Sequence, residues 1–365
     1  MMTRRSVLVG AAALGAVVPT TQSCSSGASH EEAARRLRRP ITVNNSARSA
    51  LLRELVRYAT LAPSSHNTQC WRFRVQERSI TIEADVSRRC PVVDPDDHHL
   101  FVSLGCATEN LAKAALANGL NAIARYEPTG AGVIAVSLEA TQALSSPLFH
   151  AMSERQCTRG DYDGQPLSTE ELRLLEKAGT STDVRVLLLT ERTAMENVLE
   201  YVVAGNTAQM NNPAFVDELK TWIRFSADEA ARTGDGLFSG ATGNPAMPRW
   251  LGSRMMGMFF TPKSQNERYS KQIRNSAGIA VFVSGASDKA HWVEAGRSYE
   301  RFALQATALG IRNAFLNQPV EVGSIRPQFA SALGLGEQRP DLVVRFGRGP
   351  TMPLSMRRPV QAVLV

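Results

Sequence analysis

The stretch Ala62-Pro63-Ser64-Ser65-His66-Asn67-Thr68-Gln69-Cys70-Trp71 crowds hydroxyl, imidazole and amide side chains into ten residues. It lies between a helical pattern (Leu51, Leu52, Leu55, Val56, Ala59) and an alternating strand pattern over 72–75. A polar connection held between two such elements can hydrogen-bond a polar ligand. It reads equally as a plain helix-to-strand turn, because Pro63 lacks an amide N–H and restricts the residue before it. Arg155-Gln156-Cys157-Thr158-Arg159 sets two arginines four apart, and Arg357-Arg358 follow Ser355. A guanidinium pairs bidentately with phosphate oxygens, so two such clusters brought together would clamp a phosphate monoester. The alternative is solvated surface charge, which is the better reading of Arg357 or Arg358 taken alone.

Other chemistries find little support. The five cysteines, Cys24, Cys70, Cys90, Cys106 and Cys157, are widely spaced and form no Cys-x-x-Cys, which argues against a zinc ribbon or a redox pair. Their odd number argues against a disulfide framework. His98 and His99 are adjacent, a poor arrangement for sharing one metal on regular structure, so no metal site is expected. The net charge of +7 and pI of about 9.4 arise partly from Arg4, Arg5, Arg35, Arg36, Arg38 and Arg39. No stretch interleaves basic and aromatic residues, and nucleic acid is not an expected partner.

The elements that must position these residues follow from periodicity. At 365 residues, 43% of them hydrophobic, the chain has material for one large domain or two ordinary ones. An amphipathic helix is expected over 46–61, then strands over 71–77 and 79–85. Asp94, Asp96 and Asp97 open a long helix over 100–118 that Gly119 stops. Strands follow over 122–126 and 133–138. Ser168 and Glu171 form a capping box for another helix. Strands are expected over 184–190, 279–284 and 341–347, helices over 193–235 and 291–309. Residues 236–262 stand apart in their Gly, Met, Pro and aromatic content, and read as a lid over a site or as a core segment.

The two long helices align. Gly105 and Gly119 bracket one as Gly296 and Gly310 bracket the other, at the same spacing, with Ala112 matching Ala303 and Ala115 matching Ala306. Leu55-Val56-x-x-Ala59 likewise matches Leu174-Leu175-x-x-Ala178. These matches predict two copies of one α+β unit, 46–147 and 148–365, the second lacking the polar loop and expanded near 193–275. Chance likeness of two alanine-rich helices is the alternative.

Residues 1–30 read as an export leader. Thr3-Arg4-Arg5-Ser6-Val7-Leu8 resembles a twin-arginine signature, and the apolar run 7–18 is shorter than the ~18 residues of a membrane span. Export by the twin-arginine machinery to the periplasm or the membrane surface is the expectation, with Cys24 a candidate lipoprotein site and a short N-terminal anchor the alternative. Residues 31–45 read as a tether.

Together the motifs resemble nitroreductase-fold flavoproteins, and within them the Acg-type branch with an internal duplication. The resemblance is carried by Ala62-Pro63-Ser64-Ser65-x-Asn67-x-Gln69-x-Trp71, by Arg155-x-Cys157-Thr158-Arg159 with Tyr162, by the Gly296–Gly310 helix, and by Arg345-Phe346-Gly347-Arg348-Gly349-Pro350 leading to Arg357-Arg358. It implies an α+β fold in which two fused half-units form an intrachain pseudo-dimer with FMN between them. It implies that Arg155, Cys157 and Arg159, with Arg357 or Arg358, hold the FMN phosphate. Pro63, Ser64, Ser65 and Asn67, in the motif that Gln69 completes, would line the ring and ribityl. Phe315, Leu316 and Asn317 would lie near flavin N5, where the family uses a backbone N–H. The implied activity is hydride transfer from NAD(P)H through FMN to a small acceptor such as a nitroaromatic or quinone. An FMN-sequestering protein with little turnover is the alternative. Two departures stand out: Cys70 where the family has Pro, and Cys157 where it has Ser.

Overall fold

The structure, a computed structural model, describes residues 22–42 and 48–365. The twin-arginine-like motif lies outside the described residues. Among them no helix is long and apolar enough to cross a membrane.

Helix α1 (Gln22–Leu37) precedes α2 (Arg48–Ala59), which leads through the polar loop to the hairpin β1 (Trp71–Val75) and β2 (Ser79–Ala84). Helix α3 (His98–Ala117) crosses to β3 (Leu120–Glu127) and β4 (Val133–Ala140). After the short α4 (Pro147–Ala151) come α5 (Thr169–Gly179) and β5 (Val184–Leu189). Five helices and a two-strand pair follow: α6 (Arg192–Met210), α7 (Pro213–Trp222), β6 (Ile223–Arg224), α8 (Ala227–Thr233), β7 (Leu237–Phe238), α9 (Arg249–Phe259) and α10 (Pro262–Arg274). The chain then runs through β8 (Gly278–Ser284), α11 (Lys289–Ala308), β9 (Arg312–Phe315), α12 (Gln318–Glu321), α13 (Arg326–Ala332) and β10 (Pro340–Gly347).

The four-stranded sheets have one topology. Their orders are β1-β2-β4-β3 and β5-β8-β10-β9. In each, the first strand pairs the second, the second pairs the fourth and the fourth pairs the third, all antiparallel. In each, a 20-residue helix joins the second strand to the third. The antiparallel sheets and segregated helices make this an α+β chain, as its sequence predicted.

The expansion between β5 and β8 has a packing consequence. Every residue of β8 and of β10 is buried. Ala280, Phe282 and Val344 face α11, while Ile279, Val281 and Val343 face Val198 and Val202 of α6 and Val320 of α12. Among the described residues the first sheet has no such second cover: Ile80 and Ile82 point into the core while alternate residues of β2 are partly exposed. One face wet and one dry is a stable state for an antiparallel sheet.

Local signals behaved as their chemistry requires. The Ser168 Oγ accepts the Glu171 N–H and the Glu171 carboxylate accepts the Ser168 N–H. Asp94 caps α3 by accepting the amides of His99 (3.0 Å) and Leu100 (2.9 Å). The segment expected to be a tether is partly docked instead. Ala34 is buried against Ala230, Phe238 and Met356, and Arg38 donates to the Ser355 carbonyl at 2.9 Å.

The aligned glycines Gly105 and Gly296 meet each other's helix where α3 crosses α11. A Cβ on Gly105 would lie 2.0 Å from the Val293 carbonyl oxygen, and one on Gly296 would lie 1.9 Å from that of Val102. Neither backbone can yield without separating the helices. Gly296→Ala is therefore expected to cost about 2–3 kcal/mol or more, read as a lowered urea midpoint at unchanged m-value. A midpoint within error of the parent would show that the crossing tolerates separation.

Candidate functional site

The cavity of interest, about 200 Å3, lies where the two units meet. Pro63, Ser64, Ser65 and His66 come from the first unit's loop, and His99, Ser103 and Cys106 from α3. The second unit supplies Arg159, Phe315, Asn317, Gln318 and Glu321, and the expansion adds Asn206, Gln209, Leu237 and Phe260. A chamber of about 380 Å3 adjoins it, with Arg159, Phe260, Tyr269 and Phe315 among the walls they share.

The loop is held in a strained backbone. His66, Asn67 and Gln69 all have positive φ, at 50°, 54° and 55°. Such residues cost of order 1–3 kcal/mol each and persist only where the surroundings over-determine them. Here Asn67 Nδ2 donates to the Gly236 carbonyl at 3.0 Å, and its Oδ1 accepts from Arg357 at 3.1 Å. Gln69 donates to the Gly234 carbonyl at 2.8 Å and accepts the Arg358 N–H at 2.7 Å. Ser64 Oγ accepts the Gln69 N–H at 2.8 Å. Asn67 and Gln69 thus shape the loop without lining the cavity.

Of the residues expected to meet a ligand, Pro63, Ser64, Ser65, Arg159, Phe315 and Asn317 are brought together around this cavity. Arg155, Cys157, Leu316, Arg357 and Arg358 are not among its walls. Arg357 is buried under the C-terminal end of α2, where it donates to the carbonyls of Thr60 (2.6 Å), Leu61 (2.9 Å) and Ala62 (3.1 Å). Those carbonyls have no intrahelical partner, and the fork of Arg357 satisfies them. Arg155 donates to the same Leu61 carbonyl at 3.0 Å and stands 3.2 Å from the carboxylate of Glu300. Burial pushes Glu300 up to about 7, against the pull of Arg155. Arg358 reaches the carbonyls of Gln69 and Ala362. The backbone of Cys157 pairs with that of Asn313 in an isolated parallel β-bridge. Leu316 turns into the core and gives its N–H to Val343. Arg357 thus has its donors engaged by the fold, while Arg155, whose Nε and Nη1 have no hydrogen-bond partner, is committed to the Leu61 carbonyl and the Glu300 charge.

Arg159 differs. It has no acidic partner among the described residues and faces both the cavity and the chamber. It is the free cation of the expected set. Beside it, burial first and then the Arg159 charge push the His66 imidazole down to about 4. His99 is raised instead: burial pulls it down, but the Asp94 carboxylate, 3.6 Å from Nδ1, outweighs that. The ring atoms His66 Nε2 and His99 Nε2 and the amide oxygen Gln318 Oε1 are buried without a partner. Buried polar atoms are seldom left so, and three around one cavity mark a place for a polar ligand.

The walls hold no poised nucleophile. Cys106 Sγ donates to the Gly296 carbonyl and its thiol is held well above the usual range by burial. Ser103 donates to the His99 carbonyl. Cys70 is 2% exposed, its thiol pushed up to about 12 by burial, and acts in packing. Asp94, His98 and His99 do gather within reach of one another. However, both Asp94 oxygens take α3 amides, and His98 Nε2 lies 2.9 Å from Asp341. This is a helix cap beside a His–Asp pair.

Sequence reasoning missed the wall from α6 and α12. Its only signal is polar Asn206 and Gln209 continuing a buried stripe of Met195, Val198, Leu199 and Val202.

No protein-family model matches the chain. Along most of its length it is similar to a Mycobacterium tuberculosis protein named "Putative NAD(P)H nitroreductase Rv3131", 23% identical over 328 residues that cover 86% of this chain and 90% of the relative. Among solved structures it is similar to an FMN-bound nitroreductase from Desulfitobacterium hafniense, at 15% identity over 60% of this chain and 97% of the other, with a TM-score of 0.38. It is also similar to the FMN-dependent nitroreductase NfnB of Mycobacterium smegmatis in complex with NADPH, at 12% identity over 56% and 87% of the chains, with a TM-score of 0.36.

The proximity of Arg159 and His66 has a pH signature. Folded His66 stays neutral between about 4 and its ordinary value of 6.5, where the unfolded side chain binds a proton. It therefore makes stability rise with pH across that window and fall on acidification. Removing the neighbouring charge in Arg159→Met should raise the His66 pKa above about 4, measured by NMR titration of its imidazole. An unchanged value would mean that the two groups do not share the cavity.

Proposed function

We propose that the protein is an FMN-binding oxidoreductase of the nitroreductase type, taking hydride from NAD(P)H and reducing a small acceptor. The observation that carries this reading is the meeting of Pro63, Ser64 and Ser65 from the first unit with Arg159, Phe315 and Asn317 from the second around one cavity. The name borne by the M. tuberculosis relative, similar over 86% of the chain, supports the same class.

The residues fit the group. An isoalloxazine presents a flat apolar body and a polar edge. Pro63, Phe260 and Phe315 offer apolar surface, while His66 Nε2, His99 Nε2 and Gln318 Oε1 offer unsatisfied polar atoms. Arg159 offers the cation for a phosphate. FMN, when bound, supplies the acceptance and return of hydride, and the protein binds, orients and tunes it. Ser64, fixed by the Gln69 N–H, and Asn317, fixed by the Val343 N–H at 3.0 Å, hold the walls in register. His99, with Asp94 behind Nδ1, presents at Nε2 a lone pair when neutral and an N–H when protonated, and neutral His66 presents a lone pair or a single N–H. Phe260 and Leu237 cover the cavity from the expansion, an arrangement that equally suits a protein that sequesters FMN.

In this reading the units 46–147 and 148–365 stand in for the two subunits of a dimer. The leader suits the twin-arginine route, which carries folded and already loaded proteins to the periplasm or membrane surface.

The test is the absorbance spectrum of the purified protein after incubation with FMN and desalting. Bound flavin is expected, bleaching anaerobically with NADH or NADPH. Persistent flavin peaks with both donors would favour sequestration, and no flavin at all would overturn the reading. Arg159→Ala should weaken FMN by roughly 10–150-fold, the equivalent of about 1.5–3 kcal/mol for a charge-assisted hydrogen bond. Unaltered affinity would remove Arg159 from the site.

A further inference from the structure

The chamber beyond Arg159 is built with two poles. Its volume of about 380 Å3 falls within the roughly 300–1,000 Å3 of small-molecule sites. One wall is apolar and adaptable: Phe225, Met247, Met255, Met256, Phe259 and Phe260. The other carries Arg159, Arg268 and Arg345, and no Asp or Glu is among the lining residues.

Arg345 is the centre of the polar wall. It is 1% exposed. Its Nη2 donates to the Gly160 carbonyl at 2.8 Å, and its guanidinium lies 4.1 Å from the centre of the Tyr162 ring. Its Nη1 is buried without a partner. Arg268 donates to the Thr242 carbonyl and, at 3.4 Å, to Asn244 Oδ1, both neutral. Burial, then the charges of Arg159 and Arg345, hold Arg268 below its ordinary range despite the opposing pull of Tyr269 and Asp161. The carboxylate that acts on both Arg268 and Arg345, Asp161, lies outside the lining and pairs with Lys271 at 2.6 Å. A buried guanidinium such as Arg345, with two more cations on the same wall, calls for a counter-charge, and the lining supplies none.

The apolar wall reaches the surface. Phe259 is 60% and Met255 37% exposed at the rim, which gives an apolar ligand a route inward. Gly252 of α9 packs directly on Phe225, where a Cβ would come within 2.2 Å of the ring.

We propose that this chamber binds an amphipathic organic anion, with its carboxylate, sulfonate or phosphate on Arg345 and Arg268 and its apolar body between α9 and Phe225. The chamber shares Phe260 and Phe315 with the flavin cavity, so the acceptor class it defines is an apolar or aromatic acid; that last step alone rests on the flavin reading.

The probe is 1-anilinonaphthalene-8-sulfonate, compared with neutral N-phenyl-1-naphthylamine, on the full chain with and without saturating FMN. Saturable one-to-one binding of the sulfonate is expected, at least about tenfold tighter than the neutral analogue. Arg345→Met should erase that preference. Arg268→Met, at a partly exposed position, and Met255→Glu, which sets an acid at the rim, should each weaken the sulfonate while sparing the circular dichroism spectrum, and they keep the test open if Arg345→Met does not fold. Equal binding of the two probes, or unchanged sulfonate affinity in all three variants, overturns the proposal. Stoichiometric displacement of the sulfonate by FMN also overturns it, assigning the arginines to the flavin phosphate. Sulfonate binding by a protein that takes up no FMN upholds the chamber while the flavin reading fails.

Discussion

Two helix backbones touch where α3 crosses α11, and the site exists because they can. Gly105 and Gly296 remove the side chains that would hold the helices apart, and the approach fixes the distance between the two units. The polar loop arrives on one side of that crossing, and Arg159 and Phe315 arrive on the other. A cavity whose walls come from two units is only as definite as their register, and here the register is set by backbone against backbone. Close packing of this kind leaves two rigid bodies little freedom to slide.

The second constraint is electrostatic. The end of α2 exposes carbonyls in the interior beside a loop with three left-handed residues. Arg357, Arg155 and Arg358 bind that region from the second unit, and Asn67 and Gln69 answer from the loop. The strain is stored next to the cavity and held by groups outside it, as is common where a backbone must be presented in one shape. The arginines that do this differ in place from Arg159, Arg268 and Arg345, which line the cavity or the chamber beside it.

Much of this was legible in the sequence because it is local or periodic. The capping box, the helix-stopping glycines and the alternating strands depend on neighbours a few residues away. The duplication was legible because a spacing survives even where side chains change, and Gly105 with Gly296 is such a survivor. The roles of Arg155 and Arg357 were not legible. A charge in a motif looks the same whether it faces a ligand or a carbonyl, and the carbonyls of residues 60–62 lie nearly 300 positions from Arg357. The cavity wall from α6 and α12 was silent for another reason: Asn206, Gln209 and Gln318 are ordinary amides whose meaning comes only from what they are packed beside.

The separation between Thr60 and Arg357 sets an order of events during synthesis. The strained loop leaves the ribosome early, and the arginine that restrains it follows 297 residues later. At about 5–20 residues per second, the loop waits roughly 15–60 s without its restraint. The strand edge of β1 waits as long for its neighbour, because Phe73 exchanges backbone hydrogen bonds with Val363 and Val365. A nascent chain therefore offers no finished cavity to any small molecule around it. Ligand capture and completion of the first unit fall into the same interval, after residues 357–365 have been made.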